Sequence, residues 1–206
     1  FPSSSITANI DYLNSLDISF LVSLGDNYRK ADNINMRNFI NAFAMKIDYP
    51  IFIAVGNHDV SDRVRYNNIF GKTYYDFTYG SELFIFLDTE FDDTKKIDEQ
   101  INFLINVINK IRLKDDIKNV FIFTHKLIWA QIIKDYEIVF LNVNSKRGYE
   151  KQYKFGKLIY DEINKISHEK NVFWISGDIG VSWSLPLFYD KDEESNVTFI
   201  ANGLGD

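Results

Sequence analysis

Apolar runs that end abruptly in polar residues alternate along this chain with segments of helical spacing. Every residue from 51 to 55 is apolar, a pattern typical of a strand buried on both faces. Between Ile97 and Ile108 the apolar residues recur every three or four positions, which predicts an amphipathic helix. Predicted strands cover residues 18–24, 51–55, 83–87, 120–123, 172–175 and 197–201. Predicted helices are centred on residues 6–13, 36–43, 97–108 and 159–166. The alternation predicts an α/β fold whose sheet is covered by helices.

Polar side chains stand directly after most of the predicted strands. They are Asp26, Asn57, His58, His125 and Asp178. In sheets with parallel strands, binding and catalytic residues gather at the carboxyl ends of the strands. We therefore expect these side chains to converge on one site.

The length and net charge of the chain indicate how many domains it has and which partners it binds. The 206 residues fit one domain, 1–206, and their net charge is −6. An acidic chain lacks the basic surface that nucleic acids and anionic membranes require. No apolar run approaches the roughly 20 residues of a membrane span. We therefore expect no nucleic-acid partner and no membrane span in this chain.

The residue types at the strand ends suit a metal ion. The chain has no cysteine, so any metal site would use oxygen and nitrogen ligands. Such ligands favour manganese, iron, zinc or magnesium. A divalent ion lowers the pKa of a bound water and neutralises phosphate oxygens. An acidic protein can bind a small phosphorylated substrate in this way without a basic patch.

Each of these residues also has a purely structural interpretation. Asp26 and the segment Asn57-His58-Asp59 could form turns at the strand ends, because Asn and Asp favour turns. His125 could be a hydrogen-bonded core histidine, and Asp178 could belong to a turn or cap a helix. Their shared position after buried strands favours the site.

Several segments together carry a family resemblance. They are Gly25-Asp26, Gly56-Asn57-His58-Asp59, His125 after its strand, the hairpin Tyr74–Phe77 with Leu83–Thr89, and Gln100 with Phe103-Leu104. The series resembles that of the calcineurin-like metallophosphoesterases over nearly the whole chain. The resemblance implies that family's fold, a β-sandwich flanked by helices in αββα layers.

The resemblance also implies a role for each matching residue. Asp26 would bridge two metal ions, and Asn57 and His125 would bind the second of them. His58 would contact the phosphate and assist the leaving group. Asp59 would hold the His58 ring.

The chain departs from the family in two places. No strand ending in Asp-x-His or Asp-x-Gly precedes Gly25-Asp26, so we expect the domain to lack its first strand. Gly177-Asp178-Ile179-Gly180 stands where the family has Gly-His-x-His. Asp178 aligns with a ligand of the second ion and Gly180 with a ligand of the first. The second ion therefore keeps a candidate ligand at every position: Asp26, Asn57, His125 and Asp178.

The resulting hypothesis is a metal-dependent phosphoester hydrolase. It would act on phosphomonoesters or phosphodiesters through a metal-activated water, with one or two ions per site. Manganese or magnesium should suit the site better than zinc, because Asp178 adds a hard oxygen ligand. The alternative is a catalytically weakened metal- or phosphate-binding domain of the same fold, part of a cell-envelope or polysaccharide system. Both the cytoplasm and the cell envelope stay open as locations.

Overall fold

The computed structural model describes residues 4–91, 93–112, 114–180 and 187–203. Its strands are β1 (Leu21–Ser23), β2 (Ile51–Ile53), β3 (Tyr75–Tyr79), β4 (Glu82–Phe86), β5 (Asn119–Thr124), β6 (Asn171–Ser176), β7 (Leu187–Lys191) and β8 (Val197–Asn202). Its α-helices are α1 (Ser4–Ala8), α2 (Ile10–Ser15), α3 (Asn33–Ala42), α4 (Arg63–Phe70), α5 (Thr94–Arg112), α6 (Glu137–Leu141) and α7 (Tyr149–Ile163). Short 3₁₀ segments cover Ala44–Lys46, Ile128–Gln131 and Lys134–Tyr136.

The strands form a small sheet and a large one. In the small sheet β1 and β2 pair in parallel, with Val22 opposite Phe52. The large sheet has the order β3-β4-β5-β6-β8-β7. Strands β4, β5, β6 and β8 are parallel, whereas the edge strands β3 and β7 run antiparallel to their neighbours. Because parallel strands end at the same edge, the residues that follow β4, β5 and β6 emerge side by side.

Alternate residues of each strand face different layers, as the pleat requires. Beyond β2, Val55 packs with α3 on the outer side, whereas Ala54 faces the large sheet. In β4, Phe84 and Phe86 face the small sheet, whereas Ile85 packs beneath α5 and α7. The layers therefore run helices, small sheet, large sheet, helices. This arrangement confirms the predicted α/β class, with sheets flanked by helices.

Aromatic rings fill the space between the two sheets. Phe52 of the small sheet stacks on Phe77 of the large one, with ring centroids 4.3 Å apart. Phe86 stacks on Phe123 at 4.8 Å. Stacked rings contribute roughly 0.5–1.5 kcal/mol per pair beyond the burial of their area. They give a two-stranded sheet of short strands enough contact to stay in place.

Helix α5 joins the hydrophobic core to the carboxyl end of β4. Its apolar stripe, which includes Leu104 and Ile108, is fully buried against the large sheet. Gln100 on the same helix is also buried, and its side chain bonds both backbone groups of Asp88. The Asp88 N–H donates to Gln100 Oε1 (2.8 Å), and Gln100 Nε2 donates to the Asp88 carbonyl (2.9 Å). The helix therefore fixes the chain where it leaves β4.

Several boundaries differ from those that the sequence predicts. The strand predicted at 18–24 contains only Leu21–Ser23 as paired residues. The helix predicted at 6–13 is divided into α1 and α2 at Asn9, whose φ of −106° and ψ of 13° lie outside the helical region. Strand β7 escaped prediction because its short apolar run ends at once in acidic residues. Within the described ranges, no helix is long and apolar enough to cross a bilayer.

Truncation of Phe86 tests the aromatic layer. Phe86 is fully buried and stacks on both Phe123 and Tyr75. We expect Phe86→Ala to lower the free energy of unfolding by about 3–5 kcal/mol, because it leaves a cavity between the sheets. Ile34→Ala is the control, since Ile34 is 73% exposed on α3, and it should change stability by less than about 0.5 kcal/mol. Urea denaturation measures the free energy of unfolding of both variants. Similar small losses in the two would mean that the stacked rings contribute little to stability.

Candidate functional site

The site lies where the carboxyl ends of the two sheets meet. Gly25 and Asp26 follow β1, Gly56 to Asp59 follow β2, His125 follows β5, and Asp178 follows β6. His125 belongs to the alternation of β5 that turns Phe121 and Phe123 toward the small sheet. Its ring therefore crosses to β1, where Nδ1 lies 2.7 Å from the carbonyl oxygen of Leu24.

Glycines allow this close approach. Gly25 has a φ of 101°, and a Cβ there would lie 2.5 Å from His125 Nδ1. A Cβ on Gly56 would lie 2.2 Å from the Asp26 carboxylate, and one on Gly177 would lie 2.6 Å from the Leu24 Cβ. Real side chains do not tolerate such contacts, so all three positions need glycine for space, and Gly25 needs it for its positive φ as well.

Asp26 adopts a backbone conformation that is uncommon for a residue with a side chain. Its φ is 56°, in the left-handed region that Asp enters more readily than most residues. Its Oδ1 accepts a hydrogen bond from the His58 N–H at 3.0 Å. The carboxylate is 30% exposed and is thus held at the mouth of the site.

Asp59 ties the loops after β1 and β2 together. Its fully buried carboxylate accepts hydrogen bonds from the backbone N–H groups of Gly56 (2.9 Å), Asp26 (2.7 Å) and Asn27 (2.9 Å). Burial raises the pKa of Asp59 to about 6, and the hydrogen bond from Gly56 opposes that rise. Three backbone N–H donors stabilise the ionised form of the carboxylate.

The expected contact between Asp59 and the His58 ring is wrong. The His58 Nδ1 lies 2.6 Å from the carbonyl oxygen of Arg29 instead. A carbonyl can only accept, so Nδ1 carries the hydrogen and Nε2 is the free ring nitrogen. His58 and Asp59 are adjacent in a turn, and the carboxylate turns inward to the backbone donors while the imidazole stays exposed. The His58 Nε2 lies 3.9 Å from Asp26 Oδ2.

His125 has one nitrogen that nothing satisfies. Because Nδ1 donates to the Leu24 carbonyl, Nε2 carries a lone pair in the neutral ring. Among the described residues, Nε2 is buried without a hydrogen-bond partner. It faces two carboxylate oxygens, Asp26 Oδ2 at 3.5 Å and Asp178 Oδ1 at 4.0 Å. A lone pair that faces two carboxylates is repulsive, and either a proton or a cation between them would relieve the repulsion.

A proton on His125 Nε2 and a metal ion beside it require different distances to the two carboxylates. Burial alone would lower the pKa of His125, but the negative charges of Asp26, Asp178 and Glu90 raise it above its usual value. If Nε2 were protonated, the nitrogen would still lie 3.5 Å from Asp26 Oδ2 and 4.0 Å from Asp178 Oδ1, at or beyond the limit of a hydrogen bond. A metal ion holds such ligands at roughly 2.0–2.2 Å, which places neighbouring ligand atoms roughly 3–3.5 Å apart. The spacing therefore fits two metal ligands at Asp26 and His125, with Asp178 slightly farther away.

Asp178 is the deepest carboxylate of the predicted ligand set. It is 4% exposed, and burial raises its pKa to about 6 against the opposing charge of His125 and the hydrogen bond from Tyr149. Its N–H donates to the His125 carbonyl at 3.0 Å. The structure thus brings Asp26, His125 and Asp178 together.

Asn57 and Gly180 complete the account of the predicted site. The Asn57 side chain is exposed, and no hydrogen bond joins it to the other three candidate ligands. Gly180 has a φ of 110° and offers no side chain. In the part of the chain that the structure describes, no group of three or more His, Cys, Asp or Glu side chains is placed so that it could hold a metal ion by itself. A cation beside Asp26 and His125 would therefore need oxygen atoms of water or substrate as further ligands.

Buried charges surround the candidate ligands. Lys126, next to His125, forms an ion pair with Glu90, and both side chains are less than 10% exposed. Arg63 pairs with the fully buried Asp88 and lies 3.8 Å above the Phe91 ring. Sequence reasoning missed Lys126, Glu90 and Tyr149. The strand-end position of Glu90, beyond Asp88, was the one local signal for it.

No family model matches the chain, and no curated protein matches it.

Replacement of Gly25 tests the junction of the sheets. Gly25→Ala should cost roughly 1–3 kcal/mol more than Gly71→Ala, because the new methyl group must displace the His125 ring or the Gly56 backbone. Gly71 is the matched control: its φ is 90°, and a Cβ there would meet no heavy atom within 4 Å. Both variants carry left-handed strain, so urea denaturation of the pair isolates the steric term. Equal losses of unfolding free energy would mean that the junction accommodates a methyl group at position 25.

Proposed function

We propose that this chain is a metal-dependent phosphoester hydrolase. The observation that carries the proposal is the buried Nε2 of His125, which has no hydrogen-bond partner among the described residues and faces Asp26 and Asp178. Its lone pair and the two carboxylates are the donor set of a divalent cation. The resemblance of the strand-end motifs to the calcineurin-like metallophosphoesterases supports the same reading.

Asp26, His125 and Asp178 would hold the cation, and Asn57 would add its side-chain oxygen from the exposed turn. When bound, a divalent cation lowers the pKa of a water molecule and offsets the charge of phosphate oxygens. The Leu24 carbonyl fixes the His125 ring so that Nε2 stays aimed into the site. Asp26 lies at the open side, so a phosphate ester would enter beside it.

His58 would meet the substrate. It is exposed, and its Nε2 is 3.9 Å from Asp26 Oδ2, close enough to reach a phosphate bound beside that carboxylate. Its ring is held through Nδ1 by the Arg29 carbonyl. The protonated ring would give its Nε2 hydrogen to the leaving oxygen as the phosphorus–oxygen bond breaks.

A second candidate function is metal or phosphate binding without efficient catalysis. The observation that favours it is that Gly180 offers no side chain, so the residues proposed as ligands, Asp26, His125 and Asp178, serve at most one cation. Metal stoichiometry separates the two functions. Two ions about 3.5–4 Å apart favour hydrolysis, whereas one ion or none favours a binding domain.

The three histidines provide a test of the metal site. We expect His125→Ala to lose stoichiometric manganese, because it removes the only ring that faces both Asp26 and Asp178 within the described residues. His168→Ala is the control, since His168 is exposed and should keep the full metal content. Elemental analysis of the loaded and desalted proteins gives the answer. Full metal content in His125→Ala would remove His125 from the ligand set.

The role of His58 has its own test. His58→Ala should lower kcat for an aryl phosphate or phosphodiester by roughly 10²–10⁴, the scale of proton-transfer assistance, while metal content stays the same. Steady-state kinetics on manganese-loaded protein measures the change. An unchanged kcat would exclude His58 from the reaction.

A further inference from the structure

Tyr149 links helix α7 to the candidate site. It is the first residue of the helix, and only 1% of it is exposed. Its hydroxyl oxygen accepts a hydrogen bond from the Leu127 N–H at 3.1 Å. The same hydroxyl donates to Asp178 Oδ2 at 3.0 Å. A phenol has one hydrogen and Leu127 already acts as donor, so that hydrogen points to Asp178.

The bond decides which oxygen of Asp178 faces the site. The backbone of Asp178 is held on both sides, because its N–H donates to the His125 carbonyl and its own carbonyl accepts from the Asn144 N–H, each at 3.0 Å. With the backbone fixed, the side chain can change only by rotation. Tyr149 takes Oδ2, and Oδ1 is the atom 4.0 Å from His125 Nε2.

The Tyr149 ring is itself held in place. Phe140 packs against it edge to face, with centroids 5.3 Å apart. The Lys126 ammonium lies 6.0 Å from its centroid. A rigid donor can orient a carboxylate, whereas a mobile one only follows it.

We propose that Tyr149 is a positioning residue that holds Asp178 with Oδ1 directed at the cation site. This inference rests on the proposed function, because it assigns Tyr149 to the same site. The phenol keeps the carboxylate from rotating away and leaves one oxygen free for a cation. Tyr149 would act on the cation only through Asp178, because its hydroxyl is taken up by Leu127 and Asp178.

Removal of one hydroxyl tests this role. Tyr149→Phe keeps the ring and should weaken Mn²⁺ binding about 10- to 100-fold, the usual effect of losing a group that orients a ligand. Tyr136→Phe is the matched control, because Tyr136 is 4% exposed and donates to Asp190 Oδ2 at 3.1 Å. The control should bind Mn²⁺ as the wild type does. Calorimetric titration of the stripped proteins measures all three affinities.

A double-mutant cycle separates orientation of Asp178 from a general structural effect. In an Asp178→Ala background, Tyr149→Phe should have no further effect on Mn²⁺ affinity. The same fold loss in both backgrounds, or equal affinities of Tyr149→Phe and the wild type, would overturn the role of Tyr149 alone. A wild type that binds no Mn²⁺ would overturn the proposed function and this inference together.

The Mn²⁺-bound wild-type crystal structure provides a reading that does not require the variant to fold. It should show the ion on Asp178 Oδ1 with the Tyr149 hydroxyl still bonded to Oδ2. An ion on Oδ2, or a broken Tyr149–Asp178 bond, would overturn the assignment.

Discussion

The hydrogen bond from His125 Nδ1 to the Leu24 carbonyl is the contact on which the rest of the site depends. It joins the end of a strand in the large sheet to the end of a strand in the small sheet. The close approach requires glycine at positions 25 and 177, where any side chain would collide with His125 or Leu24. Because the same bond uses Nδ1, it is Nε2 of His125 that faces the candidate site. The packing of two sheets and the chemistry of the site therefore have one cause.

The buried carboxylates divide into those that the backbone satisfies and those that it does not. Asp59 accepts three backbone N–H bonds and needs no other partner. Asp178 has the Tyr149 hydroxyl on one oxygen, while its other oxygen looks toward His125. Removing an ionised carboxylate from water is costly unless its charge is matched. The negative charge that Asp26 and Asp178 direct at His125 is the physical reason for proposing a cation there rather than beside Asp59.

The sequence predicted which strand-end residues lie together, because local rules apply there, and it failed where remote packing decides. Asp26, His125 and Asp178 could be found because each follows an apolar run that forms a strand, and the carboxyl ends of these strands meet at one edge of the sandwich. The inward turn of Asp59 could not be found, because adjacent residues in a turn diverge according to the donors that surround them. The contact between Tyr149 and Asp178 could not be predicted from the sequence for a similar reason. Tyr149 lies 29 residues from Asp178, and the bond exists because α7 packs under the large sheet. The identity of the family and the activity stay predictions.

The small sheet has consequences for dynamics. Its two strands are three residues long, and it is attached to the large sheet by stacked rings and by the loops that carry Asp26, Asp59 and His125. A ligand that binds across those loops would favour the closed arrangement of the two sheets over any opened one, by mass action. Occupancy of the site would then slow hydrogen exchange of the β1 and β2 amides, although they lie in the layer behind the ligands. Ligand binding at the strand-end loops would therefore make opening of the two sheets less frequent.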